Sequence, residues 1–415
     1  MRRALTWMLA AGFVVGSYAT DARIVSMGRH DAFFMDEMSV FRNPANISIY
    51  PNMIIGSVGT YTPDTSLDPA GNLNALTRFN RDPQNPYFGT FVSYSLNQTS
   101  DGGSQYPMLS LGAVFNRNDP LLDYINPSSE RFYGPPHMIL QDPLGKVDLI
   151  LGYALKNGGM LGVGGYGAFQ DVSNDGAVEY QSSLFKGTAG INWPIARSMD
   201  LEVSLGGGTI TAVGDSVSFI GSVPSDTSKG YILADADYNV RGDIRLFSAL
   251  TSLNGDFVPH LGVEYVTLES GNVSLMNLAG GMGLNINIDK GFFWAGIEGL
   301  YEQQDGGSSY SQSGIGGRVS FGIERNVVWD WFVIRAGGSK KLLYVNENAT
   351  RSSWEQNPVA DASDDDHLGI GVGFNIENRL KMDFVFAEDN LYTLTNLISG
   401  PQHHFFNRFS ATYSF

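Results

Sequence analysis

The chain contains no cysteine, so acid–base or metal chemistry would fall to its carboxylates and its six histidines, His30, His137, His260, His367, His403 and His404. The histidines are scattered. His403 and His404 are adjacent, and neighbours in a strand point to opposite faces, which makes them a poor joint ligand pair. Nucleophilic catalysis needs a serine or aspartate aligned with a histidine on one face, and no such pair stands out. Without thiols there is neither a cysteine nucleophile nor a disulfide framework. The run Gly162–Gly167, GVGGYG, fits G-x-G-x-x-G. A dinucleotide site needs that run between a strand and a helix, whereas here it lies inside an alternating stretch, where glycine relieves crowding or lets another segment approach. Asp361, Asp364, Asp365 and Asp366 lie close enough together to attract a divalent cation, but their spacing matches no calcium loop and reads as a solvated loop tip. The expectation is a non-enzyme with no cofactor and no metal.

The elements that would hold these residues share a two-residue period. Leu380, Met382, Phe384 and Phe386 alternate with Arg379, Lys381 and Asp383. Val240, Ile244 and Leu246 alternate with Arg241, Asp243 and Arg245, and Val319, Phe321 and Ile323 with Arg318, Ser320 and Glu324. Such alternation marks strands with one apolar and one polar face. Sixteen candidates begin near Met53, Tyr87, Tyr106, Lys146, Met160, Leu184, Asp200, Asn239, Phe257, Leu278, Phe292, Gly314, Trp331, His367, Arg379 and His404. Their expected length of about 9–11 residues suits tilted strands crossing a bilayer. Short links such as Lys156–Gly159, Asp289–Gly291 and Glu377–Asn378 alternate with long ones, among them 62–86, 117–145, 211–238, 268–277, 303–313 and 341–366. Short turns on one rim and long loops on the other are the pattern of an outer-membrane barrel.

The ends of the chain fit that reading. Arg2 and Arg3, an apolar run from Ala4 to Gly16 and the small-x-small site Ser17-Tyr18-Ala19 predict a cleaved signal peptide. No later segment is apolar and long enough for a spanning helix, and a backbone without one crosses lipid only as a closed barrel. The chain closes on Phe405, Phe409, Ala411, Tyr413 and Phe415, all at odd positions. That ending resembles the C-terminal insertion signal of bacterial outer-membrane barrels. Trp193, Phe292, Phe293, Tyr301, Trp329, Trp331 and Tyr413 are expected in interfacial girdles. The formal charge of −16 argues against nucleic acid as a partner.

The segment before the first strand carries Met27-Gly28, Asp36-Glu37, Ser39, Phe41 and Asn43-Pro44-Ala45. This order resembles the N-terminal segment of the long-chain fatty acid transporter family and of the related type IX secretion barrels. The resemblance implies a plug inside the barrel, and it implies fourteen strands where the periodicity gives sixteen. Pro44 pushes Asn43 towards an extended backbone, and the Asn43 side chain is suited to cap a turn. Asp36 and Glu37 are expected to meet lumen cations drawn from Arg241, Arg245, Arg318, Arg335, Arg379, Lys381 and Arg408. Asp243 and Asp383 add acidic groups to the same polar faces.

The expected fold is therefore all-β: a transmembrane, antiparallel, up-and-down barrel of sixteen strands, with fourteen as the alternative, and an N-terminal plug in the lumen. Residues 1–19 would be the signal peptide, 20–52 the hatch and 53–415 the barrel. Two predicted outer loops are apolar, with Leu121, Leu122, Tyr124, Phe132, Tyr133 and Ile139 on one and Leu391, Leu394 and Leu397 on the other. They suggest capture of a small hydrophobic ligand above the plug, in a protein seated in outer-membrane lipid. A scaffold for a secreted or surface protein, as the type IX resemblance implies, and a general polar porin are the alternatives.

Overall fold

The computed structural model describes residues 21–50, 52–59, 86–98, 104–124, 145–172, 180–220, 223–268, 272–305, 310–327, 329–349, 367–377, 379–386 and 406–415. The signal-peptide reading, the Asp361–Asp366 run and Phe132, Tyr133, Ile139, Leu391, Leu394 and Leu397 lie outside those residues. Sixteen strands form one closed sheet: β1 (Met53–Gly59), β2 (Tyr87–Gln98), β3 (Ser104–Phe115), β4 (Gly145–Ala154), β5 (Met160–Val172), β6 (Tyr180–Ala196), β7 (Met199–Ile220), β8 (Val223–Leu250), β9 (Gly255–Leu268), β10 (Val273–Ile288), β11 (Gly291–Asp305), β12 (Tyr310–Asn326), β13 (Phe332–Ala349), β14 (His367–Ile376), β15 (Leu380–Phe386) and β16 (Phe406–Ser414). Each pairs antiparallel with its chain neighbours, and β1 closes on β16 from Met53↔Ser414 to Gly59↔Arg408. All sixteen expected strands are present, so the fourteen-strand alternative does not hold.

The strands are longer than a bilayer crossing demands. β7 and β8, of 22 and 28 residues, stay paired from Met199↔Ser248 to Ile220↔Val223. The ladder continues past the apolar belt because its hydrogen bonds need no lipid to form. Much of what the alternation placed in long loops at 211–238, 268–277 and 303–313 is therefore strand. The other rim holds short connections throughout, such as 155–159, 197–198 and 289–290.

Side chains are sorted as in a membrane barrel rather than a soluble one. Phe88, Leu149, Leu205, Leu261, Ile297, Ile315, Val319 and Leu342 point outward and are exposed. Lys146, Asp148, Glu202, Asp243, Arg245, Glu298, Glu324, Arg335, Lys381, Asp383 and Arg408 are buried in the interior. Only a surrounding lipid phase makes that arrangement favourable. At the short-turn rim Trp329 stacks on Trp331 with centroids 5.1 Å apart, and Tyr413 is exposed nearby in sequence to the end of β16. Phe292 departs from the expected girdle: its ring faces inward and meets Phe34 at 6.0 Å.

Residues 21–50 fill the interior, with helix α1 at Asp21–Ser26, a single turn α2 at Ser39–Arg42 and a 3-10 helix at Pro44–Ile49. Inward-facing glycines make room for them. A Cβ at Gly162 would strike Pro44 and Ala45, at Gly152 or Gly112 it would strike Ile47, and at Gly283 or Gly296 it would strike Phe33. Gly337 and Gly369 receive Met27 and Val25 in the same way. These contacts reach from β3 round to β14, and Ala22 N–H donates to Ser410 Oγ on β16 at 3.1 Å.

Candidate functional site: the filled lumen

The inner segment is held by its own turns first. Asn43 is extended, at φ −132° and ψ 102°, as a residue before proline must be. Its Oδ1 accepts from Ala45 N–H at 3.2 Å, capping the 3-10 helix, while Nδ2 donates to Ile191 O at 2.9 Å. Asp36 Oδ1 accepts from Ser39 N–H at 3.0 Å, at the start of α2, whose N-cap residue is Met38. Asn46 bridges to the wall: it donates to Ser39 Oγ at 3.3 Å and accepts from Asn192 at 3.1 Å.

Charges then tie the segment to the barrel around its circumference. Arg408 meets Asp21 at 2.8 Å, and Arg23 reaches Glu324 at 2.7 Å. Arg335 joins Glu324 to Asp383. Arg245, fully buried, donates to Glu202 at 2.6 Å and to the carbonyls of Asp31 and Phe34 at 3.2 and 3.1 Å. His260 lies between Asp243 and Glu298, each 2.9 Å from one ring nitrogen. His30 Nε2 makes a close ionic contact with Glu298 Oε2 at 2.8 Å that lacks hydrogen-bond alignment. Arg42 pairs with Asp31 and stands 3.9 Å from Asp243. Buried charges are tolerated only when paired in this manner.

Asp36 and Glu37 do not pair with the lumen arginines as the sequence suggested. The arginines find wall carboxylates and backbone carbonyls instead. Asp36 Oδ2 and both Glu37 carboxylate oxygens have no hydrogen-bond partner among the described residues. Burial, then the neighbouring Asp31, pushes the Asp36 carboxyl up to about 7. Burial likewise raises Glu37 well above the usual range, against the pull of Lys381. Burial also opposes the charge on Asp31, but Arg42, Arg245 and His30 outweigh it and hold that group lowered.

The remaining predicted lumen charges divide. Arg318 faces inward and reaches Glu298 at 3.3 Å, and Arg241 stands in register with Glu264. Arg379 is exposed in the turn before β15 and is not a lumen group, because its position is one short of the strand. Several central residues were missed as candidates, notably Arg117, Asp119, Lys186, Glu202, Glu298 and Glu324. A charge on the polar side of an alternating strand was the available signal for the last four. Arg117 and Asp119 lie beyond β3 and gave none.

Arg117 and Asp119 build the upper edge of the site. Arg117 binds Asp148 at 2.7 Å and lies 4.1 Å over the Phe41 ring. Asp119 pairs with Lys186, and its Oδ1 caps Leu121 N–H at 3.1 Å. This clamp directs a second 3-10 turn, Pro120–Tyr124, inward. Leu121 and Leu122 join an apolar cluster with Tyr166, Ala168, Leu184, Ile210, Ala212, Ala234, Val266, Leu268, Val273 and Leu275. The cluster lies on the interior of β5 to β10, towards the long-loop rim. Below it, between Phe41, Pro44, Ile150, Tyr166 and Lys186, is a cavity of about 20 Å³, enough for about one water.

No family model matches the chain, and no curated protein matches it. Similar solved structures include two variants of the TodX monoaromatic hydrocarbon channel. The deltaS2S3 mutant is 11% identical, with a TM-score of 0.41, 96% of this chain covered and 100% of that one. The deltaS2 mutant is 10% identical, with a TM-score of 0.42 and coverage of 95% and 99%. OmpT, an outer membrane protein of Vibrio cholerae, is 11% identical, with a TM-score of 0.34 and coverage of 88% and 97%. At such identities the ligand question rests on this chain's own residues.

Proposed function

We propose that the protein is a non-catalytic outer-membrane channel for small hydrophobic molecules, with the N-terminal segment as its plug. One observation carries this reading: the apolar cluster from Leu121 to Leu275 faces the barrel interior towards the long-loop rim, apart from the charged residues and the other apolar clusters packed around the N-terminal segment. A water-filled pore is lined by polar groups throughout. An apolar cluster at the outer end, above a lumen occupied by the N-terminal segment, suits capture of an apolar molecule through rearrangement of the side chains packed there. The long-loop rim would face outside and the short turns the periplasm.

Native mass spectrometry of protein gently extracted from outer membranes tests this. The expected result is a bound small apolar molecule. A bound protein with no small ligand would overturn the reading and favour a scaffold.

A further inference from the structure

Beside that apolar cluster one side chain does not fit a purely hydrocarbon cargo. Asn239 on β8 is 1% exposed, and neither its Oδ1 nor its Nδ2 has a hydrogen-bond partner among the described residues. It stands in register with Gly208 on β7 and Val266 on β9. Val266 pairs in turn with Leu275, and Ile210 is the next inward residue on β7, so its surroundings are those of the apolar cluster. A buried amide with neither group satisfied costs stability, because it has given up its hydrogen bonds to water without replacing them. An apolar residue of the same size would avoid that cost, so the amide has a use.

Resting on the channel reading above, we propose that Asn239 is the polar anchor of a ligand site that opens within this apolar cluster when Leu121 and Leu122 move aside. The site takes neutral molecules with an apolar body and one hydrogen-bonding group: phenols, alcohols or ketones. The amide offers both a donor and an acceptor, so it serves a hydroxyl or a carbonyl equally. Neutrality follows from the charges nearby. Lys186 is committed to Asp119, and Arg117 to Asp148. Along β8 the flanking inward residues are Asp237 and Arg241, of opposite sign, and Arg241 is in register with Glu264. An anionic headgroup would meet the carboxylates of Asp237 and Glu264 beside the Arg241 cation. Leu121 and Leu122 cover the same cluster in the closed form, so ligand entry displaces their turn.

The test compares naphthalene with 2-naphthol, binding to the purified full chain by fluorescence titration. The wild type is expected to bind 2-naphthol about tenfold more tightly, the value of one hydrogen bond to a buried amide. Asn239→Leu is expected to erase that preference while keeping naphthalene affinity. If the leucine variant does not reach the folded barrel, Asn239→Ala is read in the same way. An unchanged preference in the variant, or a wild type without preference, would overturn the anchor and leave the channel reading standing. Failure of both probes to bind the wild type would instead overturn the channel reading itself.

Discussion

Gly162 and Gly165 belong to the same GVGGYG run and have opposite surroundings. A Cβ at Gly162 collides with Pro44 and Ala45, whereas one at Gly165 meets nothing within 4 Å on the outer face. Gly162→Val should therefore unseat the inner segment, at a cost of about 1–3 kcal/mol for overpacking, and raise ion conductance in planar bilayers. Gly165→Val should leave conductance at the wild-type level; equal effects from the two would contradict the seating. Asp36 makes a second prediction at this scale. Burial, with Asp31 beside it, pushes its carboxyl up to about 7 from the ordinary 3.8. Between those values the seated form binds more protons than the released form, so seating weakens as pH rises, by up to about 1.4 kcal/mol per unit. Conductance should grow from pH 5 to 8, and Asp36→Asn should flatten that dependence. A wild-type profile that falls with rising pH would show that Asp36 does not control the seat.

The turn Pro120–Tyr124 is short and has little helical stability of its own. Its position depends on Asp119, which caps Leu121 and is bound by Lys186 and Arg117. Burial alone would raise the Asp119 carboxyl, but the two cations together hold it well below the usual range. Asp119→Ala removes both the cap and the clamp. The Leu121 and Leu122 amides should then exchange hydrogen faster, by about tenfold or more for a loss of about 1–2 kcal/mol, and an apolar probe should associate faster. Unchanged exchange would mean that leucine packing alone holds the turn. The barrel should persist, because no ladder hydrogen bond involves this carboxylate. From sequence Leu121 and Leu122 were placed on an outer capture loop; the structure buries them in the apolar cluster inside the barrel. What was not legible is that they are buried in the closed form, since that depends on a clamp between β6 and a residue 67 positions away in sequence.

The barrel as a whole was legible because its physics is local. A strand with one face in lipid and one in the lumen must alternate, so all sixteen strands were visible in that period, and the starts at the short-turn rim fall within two residues of those expected. Strand ends at the long-loop rim were not, because β7 and β8 keep pairing where neither face is constrained by lipid. Asn43 was legible as a turn cap, and glycine inside an alternating strand as a residue that admits another segment. The ionic pairing was hidden: alternation shows that Arg245 and Glu202 face inward, but only barrel closure and the seated segment decide who meets whom. That seat also determines what its removal does. The segment touches the wall from β3 round to β16, through glycine sockets at Gly152, Gly162, Gly283 and Gly337 and through ion pairs at Arg408 and Glu324. The strand ladder itself closes from β1 to β16 without it. Deleting residues 22–46 should thus leave a barrel that still migrates anomalously in SDS until boiled, while its conductance rises by an order of magnitude or more. Unchanged conductance in a barrel that keeps its heat-modifiable migration would show that the inner segment is not what closes the lumen. Loss of that migration would show that its buried ion pairs are needed to hold the wall together.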